Sequence, residues 1–313
     1  MTDASGPATD RNGSRRPVTA PGVRARKGDG APLVMVTAYD APSARVADAA
    51  GVDLILVGDS LAMVVLGYDD TLSVTTDDMA HHVAAVARTR PRPLVVGDLP
   101  WLSYHVSRAE TVTNAAKLIR AGAGAVKLEG GRKRLESVEA ILDAEIPVMG
   151  HLGLTPQSVH ALGGFRVQGK ALDAARVIVE DAVALADAGC FAIVLECVPD
   201  AVARMVTDAV PVPTIGIGAG RHCDGQVLVY HDLLGMDDRV APRFVRRYAS
   251  MQDDATTAVA RFADDVRTGR FPSSDETYHM TDQMTEALDL YGDGTGSGTE
   301  RQAEDESQLT LPG

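Results

Sequence analysis

The stretch of sequence that decides the fold is Leu54–Ile55–Leu56–Val57–Gly58–Asp59–Ser60, a short apolar run that ends on a carboxylate and a hydroxyl. An apolar run of this length, not interrupted by polar residues, is typical of a strand buried on both faces in a parallel sheet. Four further short apolar runs end on Asp98, Glu129, His151 and Glu196. Five buried strands with polar ends indicate one shared site.

Apolar runs and amphipathic segments alternate along the chain, which predicts alternating strands and helices. Strands are predicted over residues 33–38, 54–58, 93–97, 125–128, 146–150, 192–195, 214–218 and 227–230. This alternation is typical of an α/β fold of the (β/α)8 TIM-barrel type, whose active site lies at the carboxyl ends of the strands. A doubly wound sheet is the alternative, but no GxGxxG motif follows the first strand.

The composition agrees with one large domain. A chain of 313 residues with 45% hydrophobic and only 4% aromatic residues can fill a barrel core with Val, Leu, Ile and Ala. No apolar run is long enough for a membrane span or a signal peptide, so we expect a cytoplasmic protein. Cys190, Cys197 and Cys223 lack CxxC spacing and are interpreted as small buried residues rather than disulfide or zinc ligands.

The charge balance narrows the function classes. The formal net charge is −13, from 43 acidic and 30 basic residues, and this argues against nucleic-acid binding. Few lysines are present and arginine supplies most of the basic charge. Such a surface resembles that of proteins from salt-accumulating cells, where ionic strength screens the repulsion. A halophilic protein is therefore favoured over an ordinary acidic mesophilic enzyme.

Composition also predicts the domain boundaries. Residues 1–22 form a predicted disordered N-terminal tail, and residues 23–280 form the catalytic barrel, including a long loop over 151–170 and closing helices over 242–267. Residues 281–313 are acidic and Gly-rich, which predicts a disordered C-terminal tail. A short helix over 284–290 that docks on a neighbouring subunit is the alternative for this tail.

The polar strand ends have a definite chemistry. Asp59, Asp98 and Glu129 would repel one another without a cation between them, and their hard oxygen atoms suit Mg²⁺. Lys127 lies two residues before Glu129 and points to the same side of its strand. A buried lysine needs a partner, either Glu129 in an internal ion pair or an anionic ligand. The anionic ligand is favoured because other carboxylates already crowd this end.

Seven blocks of the sequence resemble ketopantoate hydroxymethyltransferases. They are VTAYD (36–40), VGDSL (57–61), GDLP (97–100), VKLEGG (126–131), GHLGLTPQS (150–158), LECVP (195–199) and IGIGAG (215–220). The resemblance extends from Val23 to His279, with the blocks in family order and spacing. It implies a TIM barrel of the phosphoenolpyruvate/pyruvate-like type that assembles as a homo-oligomer, often a decamer.

The resemblance also implies the reaction, which transfers a hydroxymethyl group from 5,10-methylenetetrahydrofolate to 3-methyl-2-oxobutanoate and forms 2-dehydropantoate. Within the family, the residues matching Asp59, Asp98 and Glu129 form the Mg²⁺ site, with Glu129 acting through water. Those matching Asp59, Ser60, Asp98 and Lys127 bind the 2-oxo acid. The glutamate matching Glu196 accepts the proton.

Two residues have a less defined expectation. His151 either orients the long loop or forms a hydrogen bond to the substrate or the pterin, and the sequence leaves both readings open. Tyr39, in the first block, is a candidate for a supporting role.

Two other function classes are compatible with a barrel of this kind. One is a Mg²⁺-dependent C–C lyase or mutase of the isocitrate lyase/phosphoenolpyruvate mutase type, but the Lys-Lys-Cys-Gly loop typical of isocitrate-lyase-like enzymes does not occur in this sequence. The other is a barrel that binds a ligand without catalysis. The complete set of Asp59, Asp98, Lys127, Glu129 and Glu196 argues against it.

Overall fold

A computed structural model describes residues 16–237 and 242–287. The chain divides into two compact units between Asp254 and Ala255. The first unit contains a closed barrel, and within the described residues its eight parallel strands follow one another in sequence order. The strands are β1 (Leu33–Thr37), β2 (Leu54–Val57), β3 (Leu94–Asp98), β4 (Ala125–Glu129), β5 (Val148–Gly153), β6 (Ala192–Glu196), β7 (Thr214–Ile217) and β8 (Gly225–Leu228). The predicted TIM barrel is confirmed.

Helices follow most of the strands, as the alternation predicts. The helices of the described residues are α1 (Ala20–Arg24), α2 (Ala41–Ala49), α3 (Leu61–Val64), α4 (Thr76–Ala87), α5 (Arg108–Arg120), α6 (Leu135–Asp143), α7 (Val159–Leu162), α8 (Leu172–Ala188), α9 (Asp200–Ala209), α10 (Tyr230–Leu234), α11 (Met251–Arg267) and α12 (Asp282–Ala287). Asp40, Thr75 and Ser107 cap α2, α4 and α5, since each side chain accepts a hydrogen bond from a backbone N–H in the first turn. Most of α11 and all of α12 belong to the second unit.

The core has two layers, because successive strand side chains point to opposite sides of the sheet. One cluster fills the inside of the barrel and includes Leu54, Val96, Met149 and Ile215. The other cluster lies between the strands and the surrounding helices. A packed interior of branched aliphatic side chains makes the barrel a rigid support for its strand ends.

The N-terminal segment differs from the predicted tail. Helix α1 begins at Ala20, whereas the barrel domain was predicted to begin only at residue 23. Thr19 caps this helix, and Ala20 and Val23 join the apolar cluster inside the barrel. The segment is ordered because it closes the amino-terminal end of the barrel, a tertiary role that its polar composition does not reveal. Residues 1–15 lie outside the described part of the chain.

Two predictions about the C-terminal region need correction. Residues 242–250 form turns and bends rather than the predicted helix, which begins only at Met251. Residues 282–287 are helical although the tail was predicted to be disordered, and they overlap the short helix over 284–290 that was the alternative. Asp282 in the first turn favours helix formation. The remainder of the predicted tail, 288–313, lies outside the described residues. Within the described residues, no helix is long and apolar enough to cross a membrane.

Strand β5 extends to Gly153, three residues beyond its predicted end at residue 150. Gly153 has a φ of +94°, and a Cβ atom there would lie 2.2 Å from the carbonyl oxygen of Glu196. Only glycine allows this approach of the two backbones. The amide of Leu154 then donates a hydrogen bond to that carbonyl oxygen, at 2.8 Å. The end of β5 is thereby fixed against the residue that closes β6.

Candidate active site

The register of the barrel strands brings the polar strand ends together. Asp98 pairs with Lys127 across β3 and β4, and Glu129 pairs with His151 across β4 and β5. Side chains at paired positions of parallel strands point to the same side. The predicted site residues that line one cavity of about 550 Å³ are Asp59, Ser60, Asp98, Lys127, Glu129, His151 and Glu196. The fold therefore brings these predicted site residues together at one cavity.

Lys127 and Asp98 form an ion pair deep in this cavity. The Nζ atom of Lys127 lies 2.7 Å from Oδ1 of Asp98, and both side chains are almost fully buried. The internal partner of Lys127 is thus Asp98, not the Glu129 weighed from the sequence. Burial raises the pKa of Asp98 to about 7, although Lys127 acts in the opposite direction. Burial would lower the pKa of Lys127, but the surrounding carboxylates raise it.

Asp59 and Glu129 are joined through Gln157. The Gln157 side-chain amide donates a hydrogen bond to Oδ2 of Asp59 at 2.9 Å, and its backbone N–H donates one to Oε2 of Glu129 at 3.0 Å. The backbone N–H of Asp59 also donates to Oδ2 of Asp98, at 3.2 Å. Burial, followed by the charge of Glu129, raises the pKa of Asp59 to about 6. Three buried carboxylates therefore lie close to one another.

His151 lies between two glutamates. Its Nδ1 atom is 3.4 Å from Oε1 of Glu129, and its Nε2 atom is 3.2 Å from Oε2 of Glu196. Burial and Lys127 both favour the neutral ring, but the interactions with Glu129 and Glu196 raise the pKa of His151 to about 9. His151 therefore connects the carboxylates of β4 and β6, and this contact was not among those expected from the sequence.

Glu196 is the most accessible carboxylate of the group, with 17% of its side chain exposed. It ends β6 and is followed by Cys197, which has a φ of +47° and also lines the cavity. Glu196 itself lines the cavity, within ion-pair distance of His151.

Tyr39 supports the site from behind Ser60. The two hydroxyl oxygens lie 2.9 Å apart, and the Tyr39 ring is buried. Nδ1 of His82 lies 2.7 Å from the carbonyl oxygen of Tyr39, which anchors the backbone at this point to α4. Tyr39 contacts the cavity through Ser60, in agreement with a supporting role.

The carboxylates at the strand ends are the side chains that could serve as ligands of a metal ion. Among residues 16–237 and 242–287, no three His, Cys, Asp or Glu side chains are grouped closely enough to hold a metal by themselves. Mg²⁺ does not need such a group, because it commonly takes one or two carboxylates together with waters and substrate oxygens. The carboxylates of Asp59 and Asp98 fit this requirement, and Glu129 acts electrostatically on Asp59.

The structure adds residues that sequence reasoning did not assign. Gln157 lies in the GHLGLTPQS block, and Tyr104 follows the GDLP block, but neither received a role. The cavity is also lined by two aromatic side chains, Phe165 and Phe244, and by their neighbours Arg166 and Arg243. Gln157 could have been found from its place in a block that resembles the family. The side chains of residues 165–166 and 243–244 reach the cavity from loops, whose positions the periodicity of the sequence does not reveal.

Comparison with known proteins agrees with this geometry. Residues 17–274 match the family described as ketopantoate hydroxymethyltransferase. The chain belongs to this family. It is 56% identical over 265 residues to the 3-methyl-2-oxobutanoate hydroxymethyltransferase of Moorella thermoacetica, which covers 84% of this chain and 98% of the relative. It is 54% identical over 266 residues to the enzyme of that name from Oleidesulfovibrio alaskensis, covering 85% and 92%. The predicted family resemblance is confirmed.

Solved structures place the ketopantoate hydroxymethyltransferase barrel in a wider fold class. Phosphonopyruvate hydrolase in complex with oxalate and Mg²⁺ aligns with a TM-score of 0.55 at 14% identity, covering 87% of this chain and 95% of that one. 2,3-Dimethylmalate lyase, a member of the PEP mutase/isocitrate lyase superfamily, aligns with a TM-score of 0.52 at 17% identity, covering 86% and 93%. At these identities the likeness concerns the fold alone.

Proposed function

We propose that this chain transfers a hydroxymethyl group from 5,10-methylenetetrahydrofolate to 3-methyl-2-oxobutanoate and forms 2-dehydropantoate, a step of pantothenate and coenzyme A biosynthesis. The observation that carries the proposal is that Glu196 faces the same cavity as Asp59, Asp98 and Lys127. A proton acceptor therefore lies beside a set of groups able to bind a 2-oxo acid. The names of the relatives support this assignment.

The 2-oxo acid would bind at the deep end of the cavity. Lys127 has three N–H donors, so it can keep its bond to Asp98 and still donate to a substrate carboxylate. The Ser60 hydroxyl, held by Tyr39, supplies a second donor. Charge-assisted hydrogen bonds of this kind are short and strong in a buried site. Asp59 and Asp98 complete the proposed binding residues.

The proposed Mg²⁺ would be held by Asp59 and Asp98, with Glu129 acting through water. When bound, Mg²⁺ supplies Lewis-acid stabilisation of the enolate that forms from the 2-oxo acid. A barrel of the same fold class was solved with oxalate and Mg²⁺. Charge balance gives further support, because the carboxylates of Asp59, Asp98, Glu129 and Glu196 outnumber the nearby Lys127 and His151.

Glu196 would remove the proton from C3 of the 2-oxo acid as a general base. Its Oε2 atom lies 3.2 Å from Nε2 of His151, and the other carboxylate oxygen would receive the proton. The nucleophilic C3 then forms a bond to the methylene carbon of the folate donor. The carbon–nitrogen bonds of that methylene group break, water supplies the hydroxyl oxygen, and tetrahydrofolate leaves. No covalent bond to the enzyme is needed.

The outer part of the cavity is proposed to receive the folate donor. The cavity volume of about 550 Å³ is much larger than a five-carbon 2-oxo acid requires. Phe165 and Phe244 offer apolar surfaces to a flat pterin, while Arg166 and Arg243 carry positive charge suited to the glutamate carboxylates of a folate. The donor would then approach C3 from the open side of the barrel.

We further propose a cytoplasmic homo-oligomer, as the family resemblance implies. Helix α11 supports an assembly, because Val259, Phe262 and Val266 share one face and remain exposed in the single chain. A stripe of this kind on a long helix is typical of a surface that is covered in an assembly. Sedimentation velocity of the purified chain tests this, and a monomer at micromolar concentration would contradict it.

The function is tested by product formation. The purified protein is incubated with 3-methyl-2-oxobutanoate, 5,10-methylenetetrahydrofolate and Mg²⁺, and 2-dehydropantoate is measured by mass spectrometry. We expect product with the natural chain, none after chelation of Mg²⁺, and none with Asp59→Ala, which should remain folded because a strand-end residue contributes little packing. Near-normal turnover of Asp59→Ala would remove Asp59 from the site. Cleavage of the 2-oxo acid instead of transfer would favour the lyase alternative.

A further inference from the structure

Gln157 occupies a central position among the strand ends. It lies on a short 3-10 helix (Pro156–Ser158) after β5 and is only 5% exposed. Its side-chain nitrogen donates to Oδ2 of Asp59 and to the carbonyl oxygen of Leu99, both at 2.9 Å. Its backbone N–H donates to Oε2 of Glu129 at 3.0 Å. One residue therefore contacts the carboxyl ends of β2, β3 and β4.

Tyr104 fixes the orientation of the Gln157 amide. The buried Tyr104 hydroxyl donates to Oε1 of Gln157 at 2.6 Å and accepts a hydrogen bond from the backbone N–H of Glu129 at 3.2 Å. With its oxygen accepting from Glu129, the hydroxyl proton must point to an acceptor. The reversed amide would place Oε1 of Gln157 against a carboxylate and a carbonyl, where no proton is available. The NH₂ group therefore faces Asp59.

Tyr104 is itself held in place on several sides. The Ser137 hydroxyl donates to its carbonyl oxygen at 2.8 Å, and the Arg134 guanidinium lies 6.0 Å from the centre of its ring. The ring of His105 lies 4.2 Å away, centre to centre. A series of contacts thus runs from Arg134 through Tyr104 and Gln157 to Asp59.

We propose that Gln157 is a positioning residue that sets the separation of Asp59 and Glu129, and that Tyr104 acts on the site through Gln157. The side chain of Gln157 holds the Asp59 carboxylate and its backbone N–H holds the Glu129 carboxylate, while the Tyr104 hydroxyl orients the Gln157 amide. The inference rests on the proposed function, because it assigns these two carboxylates to binding a divalent cation. Outer contacts that orient metal-binding carboxylates commonly change metal affinity or activity by 10–100-fold when they are removed.

The test compares Gln157→Met and Tyr104→Phe with the natural full-length chain. Met keeps the approximate volume of Gln but donates no hydrogen bond to Asp59, and Phe removes only the hydroxyl of Tyr104. Mn²⁺ binding to the substrate-free protein is followed by electron paramagnetic resonance. We expect Mn²⁺ affinity to fall by about 10–100-fold in Gln157→Met and by a smaller factor in Tyr104→Phe.

The double variant separates positioning from independent effects. If Tyr104 acts through Gln157, the variant carrying both changes should bind Mn²⁺ as weakly as Gln157→Met alone. Multiplied losses of affinity would overturn that part of the inference. Gln226→Met is the matched control, since Gln226 lies on β8 and its side chain donates to the carbonyl oxygen of Gly220. It should leave Mn²⁺ affinity unchanged.

The outcomes keep this inference separate from the proposed reaction. Unchanged Mn²⁺ affinity in Gln157→Met, or an equal loss in Gln226→Met, would overturn it, as would a natural chain that binds no Mn²⁺. If Gln157→Met does not fold, Tyr104→Phe alone decides, and an affinity within twofold of the natural chain overturns it. A natural chain that binds Mn²⁺ but forms no 2-dehydropantoate contradicts the proposed function and leaves the Mn²⁺ comparison intact.

Discussion

Two lysine–aspartate ion pairs lie at opposite ends of the barrel and differ in their surroundings. At the carboxyl end of the strands, Lys127 lies 2.7 Å from Asp98, and both are buried. At the amino end, Lys27 lies 2.8 Å from Asp224, and both retain some exposure. The two pairs have nearly the same length, so any difference in their roles must come from the groups around them.

The pair at the amino end has neutral hydrogen-bonding partners. Oδ2 of Asp224 also accepts from the backbone N–H of Thr214, and Lys27 donates to the carbonyl oxygen of Thr207 at 2.6 Å. Here the ion pair ties the segment after α1 to β7 and α9. Fully satisfied polar groups of this kind stabilise a fold.

The pair at the carboxyl end lies among further charges. Besides Asp98, the carboxylates of Glu129 and Asp59 also raise the pKa of Lys127. Burial raises the pKa values of Asp59 and Asp98. An excess of buried carboxylates costs stability unless a cation or ligand compensates it. The same kind of ion pair is thus surrounded by neutral partners at the amino end and by further carboxylates at the carboxyl end.

Of changes to the two ion pairs, the larger effect is expected from Lys127→Met. This change removes the proposed donor to the substrate carboxylate, so turnover should fall by about 10²–10³-fold, the usual effect of losing one buried charge-stabilising donor. The variant should also lose stability, because Asp98 keeps no cationic partner at bonding distance. Turnover is measured at a temperature where circular dichroism shows the variant folded. A folded Lys127→Met variant with near-normal turnover would show that Lys127 is not needed to bind the substrate.

A moderate effect on stability alone is expected from Lys27→Met. The change removes charge-assisted hydrogen bonds to Asp224 and Thr207, so the free energy of unfolding should fall by about 2 kcal/mol. Urea unfolding measures this, with the exposed Lys133→Met as the matched control, expected within about 0.5 kcal/mol of the natural chain. Turnover should stay within twofold. A larger loss of turnover at full folding would show that the amino end also affects the chemistry.

The smallest effect concerns two cysteines, one at each end of β6. Burial raises the pKa of the Cys190 thiol to about 12, and burial together with Glu196 raises that of Cys197 to about 11. Only the thiolate reacts with iodoacetamide, so labelling of Cys197 should be slow at pH 8 and rise about tenfold per pH unit. Cys190 is fully buried and should label only after unfolding. Peptide mass spectrometry follows both, and equal labelling rates in the folded chain would contradict the expected difference.

Much of the barrel could be predicted because the buried strands correspond to short apolar runs in the sequence. The polar residue at the end of such a strand directly follows the run. The partner of Lys127 could not, because it depends on the register between β3 and β4, which places Asp98 opposite Lys127. The contact of Gln157 with Asp59 joins residues 98 positions apart. Such contacts follow from the closed barrel and not from local sequence.

The ends of the chain show the same limit. Composition predicted a disordered segment up to residue 22, but Ala20 and Val23 are buried in the barrel, where a small apolar surface suffices to order a short helix. The halophilic character inferred from the acidic, Lys-poor composition stays a prediction. It concerns solvent conditions, and the packing of the barrel carries no sign of it.

The proposal that Glu196 is the general base is tested most directly by exchange of the C3 proton of 3-methyl-2-oxobutanoate in D₂O. The exchange is measured by proton NMR with Mg²⁺ and without folate. This reports proton removal apart from the transfer step. We expect exchange with the natural chain and a loss of about 10²–10⁴-fold in Glu196→Gln, which keeps the shape of the side chain but cannot accept the proton. Binding of the 2-oxo acid should survive. Unchanged exchange in Glu196→Gln would contradict the account and make His151 the leading candidate for the base.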